Sequence, residues 1–126
     1  MAPLDAATLA LVDGGRRLDK HPVARLLSLV EQGGEPARAR KAALFRHLAA
    51  TFPMGRVIGV TGTPGAGKSS LIGRVALALV AVDPAVRVAV VAVDPSSQGS
   101  GGALLGDRLR THFPVGERRI FFRSQA

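Results

Sequence analysis

The chain has 126 residues, 47% of them apolar, which is enough for one domain with a real core. It has no cysteine, so disulfides and thiolate metal sites are excluded, and its longest unbroken apolar run, Val75 to Val82, falls far short of the roughly 20 residues that span a bilayer. The net charge is +8, from 17 basic and 9 acidic residues, but no Tyr or Trp is present for base stacking and the arginines are scattered, so nucleic acid is not the expected ligand.

The opening stretch, MAPLDAATLALVDGG, has no basic leader and carries Asp5 and Asp13 beside its apolar residues. It does not read as a secretory signal, and a cytoplasmic protein without membrane attachment is expected. Residues 22–32 place Val23, Leu26, Leu27 and Val30 at i, i+3, i+4 and i+7, one apolar helix face, with Pro22 suited to the first turn and Gly33-Gly34 as the stop. Residues 36–51 predict a second helix, with Leu44 and Leu48 on one face and Arg38, Arg40, Lys41 and Arg46 largely outward. The two would form an N-terminal helical hairpin over residues 1–53.

From Arg56 the pattern changes. VIGV, residues 57–60, predicts a short buried strand. A glycine-rich turn follows, and then a helix from about Lys68 to Val82 that Asp83-Pro84 breaks. RVAVVAV, residues 87–93, is a continuous apolar, β-branched run, the pattern of a strand buried on both faces of a parallel sheet. A loop and a short helix near Asp107 to His112 lead to RIFFR, residues 119–123, a third strand. Strand, helix, strand, loop-helix, strand predicts an α/β layered fold.

Gly62-Thr63-Pro64-Gly65-Ala66-Gly67-Lys68-Ser69 matches the phosphate-loop pattern G-x-x-x-x-G-K-[ST] at every fixed position. Glycines let the backbone take positive φ and approach phosphate oxygens closely. The exposed N–H groups form an anion nest, and the helix that opens at Lys68 adds the positive end of its dipole. Lys68 is placed to reach the β and γ phosphates, and the Ser69 hydroxyl to ligate Mg²⁺. Ser70 faces either a helix neighbour or a phosphate. The spacing G-x-x-G-x-G argues against a dinucleotide fold.

Asp94 ends the apolar run at the carboxyl edge of its strand, where open α/β sheets bind ligands. It reads either as a Mg²⁺ ligand, direct or through water, or as a turn aspartate before Pro95. Asp107 reads as the cap of a short helix. His21, His47 and His112 share no metal-ligand spacing.

Three segments together resemble a known family: GVTGTPGAGKSSLI (59–72), VAVVAVDPSSQGSGGALLGDRLR (88–110) and FFRSQA (121–126). They are similar to the MeaB/ArgK-type P-loop GTPases, also described as lysine/arginine/ornithine transport kinases and related to the methylmalonic aciduria type A protein. ARLLSLVE (24–31) resembles the family's opening. The resemblance implies a P-loop NTPase three-layer sheet in residues 54–126, binding of GTP or GDP with Mg²⁺, and a chaperone role toward a cobalamin-dependent acyl-CoA mutase, methylmalonyl-CoA mutase in the usual case. It carries the phosphate and Mg²⁺ roles to Lys68 and Ser69, and moves Asp94 and Asp107 to acidic positions near the metal and the first switch. The family is a homodimer through C-terminal helices.

The chain also departs from that pattern. It ends at FFRSQA, whereas the family continues into a second-switch segment and an N/T-K-x-D segment that reads guanine. There is no asparagine, and none of Lys20, Lys41 and Lys68 is followed two residues later by aspartate. The expectation is therefore the N-terminal part of a family member. Two alternatives stand beside it: a nucleotide-phosphate-binding module without catalysis, and an ATP-using P-loop kinase.

Overall fold

In the computed structural model, which describes residues 3–63, 65–93, 113 and 116–125, Asp5 starts the first helix, α1 (Ala6–Arg16). Its carboxylate accepts from the Thr8 backbone N–H at 2.8 Å and from the Thr8 hydroxyl at 2.9 Å. These bonds hold the Asp5 carboxyl below its ordinary pKa, because they favour the charged form. α2 (Lys20–Glu31) and α3 (Glu35–Thr51) follow, close to the two helices expected. Gly34, at φ 94°, turns the chain between them as the N-cap of α3, with Pro36 in the first turn, where its missing N–H costs nothing.

α1 is an element the sequence reading lacked. Gly14 lies inside this helix and is buried. A Cβ built on Gly14 would lie 2.6 Å from Pro22 Cγ and 2.9 Å from Pro22 Cβ. The missing side chain is what lets α1 and α2 approach. The helix ends in a Schellman arrangement with Leu18 left-handed at φ 65°, Asp19 N–H donating to Gly14 C=O at 3.0 Å and Leu18 N–H to Gly15 C=O at 2.9 Å. The N-terminal part is therefore three helices rather than a hairpin. α2 touches both α1 and α3, so its most buried residue is Leu29, with Leu26 and Val30 half-buried beside it. Val12, Leu29 and Leu44 form the core, and Leu48 and Phe52 pack against it.

Gly14→Ala is expected to destabilise this unit by about 1–3 kcal/mol, because overpacking against Pro22 outweighs the roughly 1 kcal/mol that alanine gains in helix propensity. Chemical denaturation followed by circular dichroism measures it, and a rise in midpoint would refute the close approach.

The chain divides into two units, Met1–Val57 and Ile58–Ala126. In the second, α4 (Lys68–Val82) has the bounds its sequence predicts. β1 (Val88–Val93) and β2 (Ile120–Gln125) pair in parallel, Val88 opposite Ile120 and Val93 opposite Gln125. Ala76 and Val80 of α4 pack on Ile120, with Leu77, Val88 and Phe113 around them.

Two expectations about strands are corrected. VIGV is not a strand here: residues 57–60 have no ladder partner among the described residues, and Val57, Ile58 and Val60 are exposed. A strand exists only through a neighbour's hydrogen bonds, and among the described residues β1 and β2 bond each other. β1 is also not buried on both faces. Its residues alternate between half-buried and exposed, because α4 covers one face and leaves Val91 and Val93 open on the other. No described helix is long and apolar enough to cross a membrane.

Candidate functional site

Residues 65–67 turn the chain straight into α4. Ala66 N–H donates to Thr63 C=O at 3.2 Å, and Gly67 C=O accepts the first helical bond from Leu71 N–H at 3.0 Å. Gly65 and Gly67 have φ of 80° and 92°, the left-handed region that a side chain resists. A Cβ at either would meet nothing within 4 Å, so the two glycines are required by backbone conformation and not by crowding. Gly67 is the N-cap of α4, and no side chain caps that end. The N–H groups of Lys68, Ser69 and Ser70 belong to the first turn, which has no intrahelical acceptors, and no acidic residue stands among them.

Lys68 turns back over the loop. Its Nζ donates to the Gly62 C=O, and its stem lies along Gly62, whose added Cβ would sit 3.4 Å from Lys68 Cδ. The ammonium is thus held at the loop. Lys68 and Ser69 are half-buried, whereas Gly62, Thr63, Gly65, Ala66, Gly67 and Ser70 are exposed. The uncapped start of α4 beside exposed loop backbone, with the Lys68 ammonium bonded at the same loop, is suited to an anion of several oxygens.

The end of α4 is fastened by Arg119, which immediately precedes β2. Its guanidinium meets both Glu117 oxygens, Nε to Oε1 at 3.1 Å and Nη2 to Oε2 at 3.2 Å. Its Nη1 donates to Val80 C=O at 2.9 Å in the last turn of α4, and Val88 N–H donates to the Arg119 C=O at 2.8 Å. The end of α4 and the starts of both strands are therefore together. Nothing in the sequence pattern singled out Arg119. Only its partner Val80, 39 residues away, reveals its role.

Of the residues expected at the site, Gly62, Thr63, Gly65, Ala66, Gly67, Lys68, Ser69 and Ser70 are brought together in this turn. Pro64, Asp94 and Asp107 lie outside the described residues. Among the described residues no three His, Asp or Glu side chains converge on a point that could hold a metal.

Comparison with known proteins adds three findings. The sequence profile of the family "Methylmalonyl Co-A mutase-associated GTPase MeaB" matches residues 23–126. The chain is 37% identical over 116 residues to a protein of Pyrococcus abyssi named "Putative GTPase", across 92% of this chain and 34% of that protein. It is 38% identical over 113 residues to the "Fused isobutyryl-CoA mutase" of Geobacillus kaustophilus, across 86% of this chain and 10% of that protein. The chain thus spans about a third of the one relative and a tenth of the other. No solved structure matches it.

Proposed function

We propose a function from one premise: the chain belongs to the MeaB family of methylmalonyl Co-A mutase-associated GTPases. It binds GTP and GDP at residues 62–70 and takes part in GTP hydrolysis in the service of a cobalamin-dependent acyl-CoA mutase, whose cofactor loading the family member gates as a chaperone. Residues 54–126 are the first part of a P-loop GTPase domain, and residues 1–53 its helical preface. The observation that carries this reading is the turn itself, with Gly65 and Gly67 left-handed, the first turn of α4 uncapped and Lys68 folded over the opening.

The chemistry of the described residues follows from that arrangement. Backbone N–H groups of the loop and of the first turn of α4 hold the β phosphate. Lys68 exchanges the Gly62 carbonyl for β and γ oxygens, which concentrates positive charge where the γ phosphoryl group separates. The Ser69 hydroxyl, one residue into α4 beside the loop, is an oxygen donor that suits a hard cation, and with Asp94 it would hold Mg²⁺. Bound Mg²⁺ supplies neutralisation of charge shared by the β and γ phosphates. Asp107 stands by family resemblance at the first switch.

The test is calorimetric titration of the chain with GTP, GDP and ADP in Mg²⁺. Uptake of GTP and GDP is the expected result, with little discrimination against ADP, because no N/T-K-x-D segment is among these residues to read guanine. Preference for ADP favours the kinase alternative. No heat with any nucleotide, from a chain whose circular dichroism shows folded helices, would sink the reading.

A further inference from the structure

Resting on the reading above, we propose that Arg74 is a further binding residue of the same site and that its guanidinium takes the α phosphate of the bound nucleotide. Arg74 follows Ser70 by one turn of α4, about 40° around the helix and about 6 Å along it. Long helical side chains lean toward the helix start, so a side chain at position 74 lies over the turn of Ser70 and Leu71, next to the uncapped end. Arg74 and Ser70 are both exposed. The residues that α4 buries, Gly73, Ala76 and Val80, lie about 100° or more from Arg74 around the helix.

Ser69 belongs to the other flank. It falls within about 40° of Gly73, Ala76 and Val80, and it is half-buried. With Lys68 and Ser69 assigned to the β and γ phosphates and to Mg²⁺, the γ end of the phosphate chain is on that packed flank. The chain then crosses the start of α4 toward the exposed flank, and the phosphate that arrives there is the α phosphate. The polar residues of α4 are Lys68, Ser69, Ser70 and Arg74, every other position being apolar or glycine. Ser70 and Arg74 are thus what α4 offers on the exposed flank.

No described carboxylate competes for this guanidinium. Among the described residues it makes no ion pair or side-chain hydrogen bond. α4 contains no acid. The described acids of this unit, Asp83 and Glu117, stand at the end of the helix. Asp83 is its C-cap, and Glu117 is held by the same Arg119 that donates to Val80 C=O. A guanidinium presents paired N–H donors that match two phosphate oxygens, which an ammonium cannot do. Lys68 and Arg74 therefore divide the ligand between them, a point charge at its γ end and a fork at its nucleoside end.

The experiment is calorimetric titration of the full chain with GTP and with GDP in Mg²⁺. Arg74→Ala is expected to weaken both about three- to tenfold and by the same factor, since both carry the α phosphate. Lys68→Ala, by contrast, falls harder on GTP. Arg74→Lys keeps the charge without the fork and should recover only part of the loss. Val82→Glu, at a position 84% exposed and about 12 Å farther along α4, lowers the net charge by the same one unit and should leave both affinities unchanged. Both positions are exposed, so helical circular dichroism is expected to match wild type in every variant. Wild-type affinity in Arg74→Ala overturns the inference and leaves the site reading standing. An equal loss in Val82→Glu assigns the effect to net charge and overturns it as well. A loss confined to GTP places Arg74 at the γ phosphate and overturns the α assignment. A wild-type chain that takes up neither nucleotide overturns the site reading, and this inference with it.

Discussion

Lys68→Ala is expected to weaken GTP binding about 100-fold and to abolish any hydrolysis, while leaving the fold intact. The ammonium gives up one neutral acceptor, the Gly62 carbonyl, and gains charged phosphate oxygens. Hydrogen bonds to charged groups contribute roughly 1.5–3 kcal/mol each, and about 1.4 kcal/mol is a factor of ten, so loss of the ammonium accounts for about two decades. GDP should suffer less than GTP, because the γ oxygens are missing from it. Lys68→Met separates charge from packing. It keeps most of the stem along Gly62 and should match Lys68→Ala in affinity, with a thermal midpoint nearer wild type. Gly67→Ala gives an independent check on the cradle. Its φ of 92° costs an alanine about 1–2 kcal/mol, so the loop either strains or reshapes, and phosphate affinity falls without any charge being removed. If Lys68→Ala binds GTP as wild type does, the turn is not the nucleotide site, whatever its sequence.

The sequence showed the elements whose signals are local. α4 was legible at both ends, because the phosphate-loop pattern fixes its start and Asp83-Pro84 its end. The apolar runs of β1 and β2 were legible as strands, and the parallel pairing follows the expected layered order. What failed depended on a neighbour. α1 was not predicted, and the buried Gly14 within it is explained by the approach of Pro22. VIGV has a strand's composition, but composition supplies no partner, and its side chains are exposed. The alternation in β1 likewise comes from a single covering helix, which a run of valines cannot announce. At the site, the turn from Gly62 to Ser69 was readable down to the position of Lys68, since glycine conformations and the helix start are encoded within ten residues. The anchoring of α4 at its far end was not, because it joins side chains and carbonyls far apart in the chain.

That anchor carries the largest expected effect on stability. Arg119 and Glu117 are 28% and 18% exposed, and the guanidinium spans both carboxylate oxygens while donating to Val80 C=O at 2.9 Å and Pro84 C=O at 3.3 Å. An exposed pair would contribute under 1 kcal/mol, but this one is largely shielded and also satisfies carbonyls at the end of α4. Arg119→Met removes the charge, the fork and both carbonyl bonds at once and leaves the Glu117 carboxylate without that guanidinium. A loss of about 2–4 kcal/mol in the second unit is expected, read from the denaturant midpoint. Arg119→Lys keeps a charge but cannot span two carboxylate oxygens and reach Val80 together, so it should recover less than half of the loss. Adding Glu117→Gln to Arg119→Met removes a carboxylate charge that has lost its guanidinium, while the Arg119 N–H bond to the Glu117 side chain at 2.9 Å can persist, and should restore part of the stability, which a purely steric role for Arg119 would not predict. Because Val80 and Ile120 form the core beneath this clamp, loosening it frees the far end of α4 from β2, while Lys68 sits about four turns away at the other end. Nucleotide affinity should therefore fall only as far as the folded population falls. A variant that stays fully folded yet loses GTP would show instead that the clamp sets the orientation of α4, and with it the aim of the loop.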